Sequence, residues 1–262
     1  MSLRLGIIGA GGWLGGAIAQ AALAGGVASP DTLSLSYRSK PPVGCDGAFQ
    51  TRDTGELVER SDVIILSVRP EDWPEVRFDA TGKLLISVMA AVDLQSLASA
   101  HNTPRVIRAL PNAATEVAAS FTPLVSLSST GSDDLAIASS IFACCGVVDE
   151  VATEEHLDYF AGLTGTGPAY PALMALAMEQ DAIARGIDPA VAGRAVKALF
   201  VGTGRLLETF GTSPADTVEA FMAYRGITAA GLETMQAMKV GEAVKAGLEA
   251  ALVRGRAMAG KS

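Results

Sequence analysis

A cluster of glycines follows a short apolar run near the N-terminus. Residues 5–8 have the sequence LGII, and residues 9–15 have the sequence GAGGWLG. A buried strand that opens into a glycine turn and a helix can bind the pyrophosphate of a dinucleotide, because glycines allow a tight turn and a close approach of the backbone. The first amides of the helix then point at the phosphates. The segment predicts a dinucleotide site formed by Gly9, Gly11, Gly12, Trp13 and Leu14.

The spacing of these glycines departs from the usual G-x-G-x-x-G pattern. In that pattern the third glycine would fall on Leu14, whereas Gly9, Gly12 and Gly15 fit G-x-x-G-x-x-G. We therefore expect a phosphate cradle that is one residue longer than usual. A strand, a glycine turn and a helix also occur in α/β proteins that bind nothing there, so the cofactor prediction depends on a second signal.

That second signal follows the next predicted strand. Arg38, Ser39 and Lys40 come directly after residues 33–37, and no Asp or Glu stands at the strand end, where an NAD enzyme would bind the ribose 2′-hydroxyl. The planar guanidinium of Arg38 suits a 2′-phosphate instead. Taken alone, such a triplet is more often a solvated basic turn. Together with the glycine turn, it predicts NADPH as the cofactor in preference to NADH.

The composition limits the class of protein and its partners. The 262 residues suffice for one large domain or two modest ones. The 20 Lys and Arg against 28 Asp and Glu give a net charge of -8, and no basic block could follow a phosphate backbone, so we expect no nucleic acid partner.

Cys45, Cys144 and Cys145 suggest neither disulfides nor a metal pair, so no metal is expected. Glycines interrupt the first apolar run too early for a signal peptide or a membrane span, which favours a cytoplasmic protein without a membrane partner.

Short β-rich runs alternate with helical stretches through the first half of the chain. This alternation predicts a parallel, doubly wound sheet with helices on both faces. About eight strands are expected, with the last ones at an edge. Predicted strands cover residues 5–8, 33–37, 61–68, 84–88, 105–110, 122–126 and 147–151, and residues 17–23 are helical.

From Glu154 onward β-branched runs nearly vanish, and Ala, Leu, Met, Glu and Lys dominate. We therefore expect a Rossmann domain over residues 1–153 and an all-helical domain over residues 154–262. Residues 169–178 carry apolar side chains on nearly every face of a helix, so a dimer with interlocking helical domains is expected. The predicted helices cover residues 168–185, 189–210, 214–224 and 228–259.

Four further segments resemble the pyrroline-5-carboxylate reductase family, whose members reduce a cyclic imine to proline with NADPH. They are DVIILSVRP at residues 62–70, RVIRALPN at 105–112, LTGTGPAY at 163–170 and GITAAGL at 226–232. The third is the most specific, because the family has a similar stretch at the start of its long dimerisation helix. The resemblance spans nearly the whole chain. It implies an α/β fold with an N-terminal Rossmann-type doubly wound sheet and a C-terminal all-α dimerisation domain.

The resemblance also implies roles for individual residues. Val68, Arg69 and Pro70 would lie near the cofactor, and Asn112 near the nicotinamide; Arg69 stands where the family usually has Lys. Residues 223–228 align with the family's substrate loop, in which backbone amides bind the substrate carboxylate and a final threonine reaches the imine nitrogen. The resemblance thus implies substrate binding by Arg225, Gly226, Ile227 and Thr228, with Thr228 also catalytic.

Two departures from the family concern the substrate end of the site. Ala113 and Ala114 stand where the family has Thr-Pro, and Arg225 replaces a glycine. In one interpretation the chain is a diverged but equivalent member whose backbone amides do the same task. In the other, Arg225 contacts a carboxylate directly and Tyr224 reshapes the pocket, so that a different imine acid is preferred.

Two alternative functions remain open from the sequence. A β-hydroxyacid dehydrogenase would need a catalytic lysine in its long helix, and Lys197 lacks the glycine pattern that precedes it there. A cofactor-binding protein without turnover is the other alternative. His101 and His156 are expected at the surface, and Tyr170 in helix packing. The expected partners are a small imine acid and a second copy of the chain, in a homodimer that relatives extend into larger rings.

Overall fold

The computed structural model describes residues 3–259. It divides into two compact units. One is Gly167–Ala250, and the described residues before and after that segment form the other. The domain boundary expected between residues 153 and 154 stays a prediction.

A single sheet forms the centre of the first unit. In chain order its strands are β1 (Leu5–Ile8), β2 (Leu33–Ser36), β3 (Phe49–Thr51), β4 (Val63–Leu66), β5 (Leu84–Ser87), β6 (Val106–Ala109), β7 (Ser120–Ser126) and β8 (Gly146–Glu150). Their order across the sheet is β3-β2-β1-β4-β5-β6-β7-β8. The first six strands have the order typical of a Rossmann fold, which confirms the predicted fold class.

The sheet differs from the prediction in two places. β7 runs antiparallel to β6, because the connection of residues 110–119, which includes only one short 3₁₀ helix, is too short for a parallel crossover. β3 was missed, since its residues Phe49, Gln50 and Thr51 form no apolar run and the strand lies at an edge of the sheet, partly exposed. The expectation that the last strands lie at an edge is confirmed by β8.

Side chains of the central strands alternate between two apolar clusters, one for each face of the sheet. In β5, Leu84 and Ile86 belong to one cluster, and Leu85 belongs to the other. Strands β1, β4 and β5 are buried along their whole length, as expected for parallel strands covered on both faces. Full burial of each Leu or Ile contributes about 1.5–3 kcal/mol. The packed strands therefore fix the loops at their carboxyl ends.

The helices in chain order are α1 (Trp13–Ala24), α2 (Thr54–Glu59), α3 (Leu94–His101), α4 (Ser132–Ala143), α5 (Glu154–Phe160), α6 (Ala169–Ala184), α7 (Pro189–Phe210), α8 (Pro214–Ala223), α9 (Ile227–Ala237) and α10 (Val240–Met258). The single helix expected over residues 228–259 is wrong, because Lys239 has φ 60° and separates α9 from α10. Among the described residues, no helix is both long and apolar enough to cross a membrane.

One histidine is buried, contrary to expectation. His101, the last residue of α3, is fully buried, and its ring stacks on Phe78 with centroids 4.0 Å apart. The ring packs against Trp73 and Phe78 as a core side chain would. The polar residues around His101 in the sequence gave no sign of this burial. His156 is exposed, as predicted.

A buried arginine connects the sheet to the start of α5. Arg108 in β6 is fully buried, and its guanidinium lies 2.7 Å from Glu154 Oε1 and 3.0 Å from Asp158 Oδ1. Glu154 Oε1 also accepts a hydrogen bond from the backbone amide of Leu94 at 3.0 Å. The two carboxylates compensate a charge that would otherwise be costly to bury.

Candidate functional site

The glycine turn lies at the carboxyl end of β1, between the ends of its two neighbouring strands. Gly9 has φ 87°, a left-handed conformation that favours glycine. The amides of Gly9 and Ala10 donate to the carbonyl oxygen of Ser36, at 3.1 and 2.8 Å. A Cβ on Gly9 would lie 2.2 Å from the carbonyl oxygen of Ser67. Only glycine fits this position, and the turn is held from both sides.

The longer glycine spacing has a structural counterpart at the start of α1. A Cβ on Gly15 would lie 2.7 Å from the carbonyl oxygen of Gly9, so Gly15 allows the helix to pack close to the turn. Gly12 is the N-cap residue of α1. A Cβ on Gly11 would lie 2.2 Å from the carbonyl oxygen of Lys40, so the loop after β2 reaches the turn. The spacing of Gly9, Gly12 and Gly15 thus fits this strand, turn and helix.

A cavity of about 670 Å³ opens beside this turn, at the carboxyl ends of β1, β2 and β4. This is the region where open α/β sheets bind their ligands. Of the residues predicted for the cofactor, Gly9, Gly11, Gly12, Arg38, Ser39, Lys40, Val68 and Arg69 line it. Trp13, Leu14, Pro70 and Asn112 lie outside its lining.

The side chains around the cavity carry more positive than negative charge. The cations are Arg38, Lys40, Arg52, Arg69 and Arg77, and the carboxylates are Asp72 and Glu75. Such an excess of positive charge attracts an anionic ligand. Sequence reasoning missed Arg52, Arg77, Asp72 and Glu75. Arg52 follows the overlooked strand β3, and the other three lie in a segment without periodicity, so only the strand order brings them to the cavity.

Two of these cations have specific partners. Arg38 Nη1 lies 3.2 Å from Asp72 Oδ1. The guanidinium carbon of Arg52 lies 5.7 Å from the centroid of the Tyr37 ring. Arg38 and Arg52 are thus positioned by contacts between the loops after β2, β3 and β4.

Trp13 and Asn112 have surroundings of their own. Trp13 lines a second cavity of about 630 Å³ along α1, and its indole nitrogen donates to the carboxylate of Glu116. Asn112 is largely buried, and its Oδ1 accepts from the amide of Ala114 at 2.9 Å. That bond caps the short 3₁₀ helix Ala113–Val117. The side chain of Asn112 therefore orders the segment after β6.

The residues expected at the substrate lie together at the start of α9, in the unit Gly167–Ala250. Gly226 is the N-cap residue, and Ile227 and Thr228 begin the helix, exposed to solvent. The first amides of a helix lack intrahelical acceptors and favour an anion. Arg225, immediately before them, has φ 50°. Its guanidinium adds a cation beside these amides.

Two family models match the chain. The model described as pyrroline-5-carboxylate reductase dimerisation matches residues 154–258, and the model described as NADP oxidoreductase coenzyme F420-dependent matches residues 4–91. The pyrroline-5-carboxylate reductase of Synechocystis is 30% identical over 273 residues, which cover 100% of both chains. The chain belongs to the pyrroline-5-carboxylate reductase family. The family member from Thermus thermophilus is 31% identical, over 97% of each chain.

Solved structures of pyrroline carboxylate reductases share this fold. The structure from Coxiella burnetii is 24% identical, with a TM-score of 0.85 over 98% of this chain and 99% of its own. The structure from Plasmodium falciparum, solved with NADP bound, is 21% identical, with a TM-score of 0.84 over 98% of each chain. These likenesses confirm the predicted Rossmann-type sheet followed by an all-α domain.

Membership of the pyrroline-5-carboxylate reductase family also bears on the two remaining candidates in the helices. Lys197 is exposed on α7, and Tyr170 is half-buried in the first turn of α6. The match to pyrroline-5-carboxylate reductases over the whole chain favours imine reduction over the reaction of a β-hydroxyacid dehydrogenase, for which Lys197 was the candidate.

Proposed function

We propose that this protein catalyses the NADPH-dependent reduction of a cyclic imine carboxylate, of the kind that converts 1-pyrroline-5-carboxylate to L-proline. The observation that carries the proposal is the similarity, over its whole length, to pyrroline-5-carboxylate reductases. The cation-lined cavity beside the glycine turn supports the same cofactor class.

The residues at this cavity fit a dinucleotide that carries a 2′-phosphate. Gly9 and Gly15 keep the turn close to the helix, and Gly12 leaves the start of α1 open to a pyrophosphate. When bound, NADPH supplies the hydride. We propose that Gly9, Gly11 and Gly12, together with the first backbone amides of α1 at Trp13 and Leu14, hold the pyrophosphate. Arg38, Ser39 and Lys40 would hold the 2′-phosphate. Val68 and Arg69 in the lining, and Pro70 and Asn112 beyond it, would complete the cofactor site.

The start of α9 supplies groups that suit an imine carboxylate. We propose that the amides of Ile227 and Thr228 bind the carboxylate and that Arg225 contributes a charge-assisted hydrogen bond. The hydroxyl of Thr228 would orient the imine nitrogen. A protonated imine already accepts a hydride readily, so Thr228 positions the nitrogen and no general acid is required.

We further propose a homodimer formed through the unit Gly167–Ala250. Within that unit Ala192 and Ala229 are buried, whereas Leu173, Phe210 and Ile227 are 67%, 68% and 95% exposed. A second copy of the helices would cover this apolar surface. Its removal from water would stabilise the dimer by about 25 cal/mol per Å². The dimerisation model that matches residues 154–258 supports this assembly. Assembly into larger rings is a further part of the proposal.

We propose a cytoplasmic location because the three cysteines are not paired in disulfides. Cys45, Cys144 and Cys145 are free thiols. Burial raises the pKa of Cys145 to about 12, so this thiol stays protonated and unreactive at neutral pH. Free thiols of this kind fit a reducing compartment.

The test of the proposed function is a turnover assay with purified protein. NADPH oxidation would be followed with 1-pyrroline-5-carboxylate, 1-pyrroline-2-carboxylate and the piperideine carboxylates, in parallel with NADH. We expect oxidation of NADPH by at least one of these imines. Protein that binds NADPH and oxidises none of it would be a cofactor-binding protein without turnover, and the proposal would be wrong.

A further inference from the structure

An ion pair crosses the cofactor cavity. Arg38 follows β2 and Asp72 follows β4, and these two strands are the neighbours of β1 on either side. The contact between Arg38 Nη1 and Asp72 Oδ1, 3.2 Å long, therefore connects two loops across the carboxyl end of β1. The glycine turn lies at that same end, so the pair stands at the site that a dinucleotide would enter.

Of the two partners, Asp72 is the more firmly held. Its amide donates to the carbonyl oxygen of Arg69 at 3.0 Å, and the following residue, Trp73, is anchored on the buried His101 through a hydrogen bond of 3.0 Å. The side chain of Asp72 is 34% exposed, whereas that of Arg38 is 78% exposed. The backbone that carries the carboxylate is thus anchored, whereas the arginine is a long, exposed side chain that can change partners.

We propose that Asp72 is a specificity-determining residue that holds Arg38 when no 2′-phosphate is present. A ligand with a 2′-phosphate takes the guanidinium from Asp72, whereas a ligand with a free 2′-hydroxyl leaves the ion pair intact. Asp72 thereby weakens the binding of NADPH without weakening the binding of NADH. This inference rests on the proposed use of NADPH.

The energies of the two contacts favour this exchange. A guanidinium and a phosphate form two parallel charge-assisted hydrogen bonds, which are among the stronger contacts in proteins. An exposed pair of Arg and Asp contributes little, so the phosphate can displace the carboxylate. Loss of the contact between Arg38 and Asp72 nevertheless reduces the net free energy gained when the 2′-phosphate binds. Its removal should therefore strengthen the binding of the 2′-phosphate specifically.

Binding of 2′-phospho-ADP-ribose and of ADP-ribose, measured by calorimetry, tests this proposal without turnover. In Asp72→Asn, we expect the affinity for 2′-phospho-ADP-ribose to rise about three- to fivefold, and the affinity for ADP-ribose to change by less than about twofold. The unchanged ADP-ribose affinity also shows that the variant is folded. The matched control is Glu75→Gln, which removes the same charge from the same cavity at a residue that does not pair with Arg38.

A second arm uses the background Arg38→Ala. There, Asp72→Asn should no longer favour the 2′-phosphate, because the side chain that Asp72 holds is gone. If Asp72→Asn raised the affinity for both ligands equally, or if Glu75→Gln raised the affinity for 2′-phospho-ADP-ribose as much, the effect would be one of general charge and the inference would be overturned. Selective gain that persists in Arg38→Ala, or no gain at all, would also overturn it. Wild-type protein that binds neither ligand would contradict the proposed cofactor itself.

Discussion

The indole nitrogen of Trp73 donates a hydrogen bond to Nε2 of His101, 3.0 Å away. Because Nε2 accepts this bond, the proton of the neutral ring lies on Nδ1, which is 3.3 Å from the carbonyl oxygen of Phe78. Burial lowers the pKa of His101, and the Phe78 carbonyl opposes that shift only in part. A neutral His101 therefore joins α3 to the segment that carries Asp72.

We expect the free energy of unfolding to decrease as the pH falls below about 6.5, the ordinary pKa of histidine. Below that pH the unfolded chain binds a proton at His101, whereas the folded protein, with its lowered pKa, does not. The contribution of neutral His101 to the free energy of unfolding is complete above the ordinary pKa, and it is lost as the pH falls through the pKa of His101 in the folded protein. Denaturant unfolding at about pH 8 and about pH 5.5 measures it.

Two variants isolate this contribution. His101→Gln should lose the part of the pH dependence that His101 supplies, and His156→Gln, at an exposed histidine, should keep the wild-type dependence. The same pH dependence in wild type and His101→Gln would contradict the neutral, hydrogen-bonded ring.

Gly15→Ala tests the packing of the glycine turn. The added Cβ would lie 2.7 Å from the carbonyl oxygen of Gly9 and 3.1 Å from Cα of Ala10, so α1 must move away from the turn. Such overpacking costs about 1–3 kcal/mol. If the displaced turn must be restored before the cofactor binds, that cost reduces the binding free energy, and we expect NADPH to bind at least about fivefold more weakly. Gly131→Ser is the control, since Gly131 faces open space at the start of α4. Equal NADPH affinity in Gly15→Ala and wild type would argue against a cradle at this turn.

The apolar core could be predicted from the sequence, and the contacts across the cavity could not. Strands β1, β4 and β5 consist largely of apolar residues, and α7 has the predicted bounds Pro189–Phe210. The break between α9 and α10 was missed, because the residue in the left-handed conformation is Lys239 and not the glycine that usually indicates such a break. The pairing of Arg38 with Asp72 depends on which strands are neighbours, and this is a property of the topology rather than of local spacing.

Arg225→Gly tests the departure in the substrate loop. The change removes the guanidinium, and glycine accepts the φ of 50° at this position without strain. We expect the KM for the imine to rise at least about tenfold, since a charge-assisted contact to a carboxylate contributes about 1.5–3 kcal/mol, while the Kd for NADPH stays the same. Steady-state kinetics and a cofactor titration measure the two quantities. An unchanged KM would show that Arg225 does not contact the substrate.

Thr228→Ala tests the role of the hydroxyl at the start of α9. Without it the imine nitrogen loses its orienting group, and we expect kcat/KM to fall about a hundredfold, while NADPH affinity persists. Thr228→Ser keeps the hydroxyl and should remain within about fivefold of wild type, because loss of a methyl group costs about 1 kcal/mol. If Thr228→Ala and Thr228→Ser were equally active, the hydroxyl would have no part in the reaction.

The proposed imine reduction is tested most directly by the rate of NADPH oxidation by the purified protein with 1-pyrroline-5-carboxylate and related cyclic imine carboxylates, with the amino acid product identified. We expect turnover to a cyclic amino acid, with a higher kcat/KM for NADPH than for NADH. Protein that binds NADPH but reduces none of these imines would contradict it.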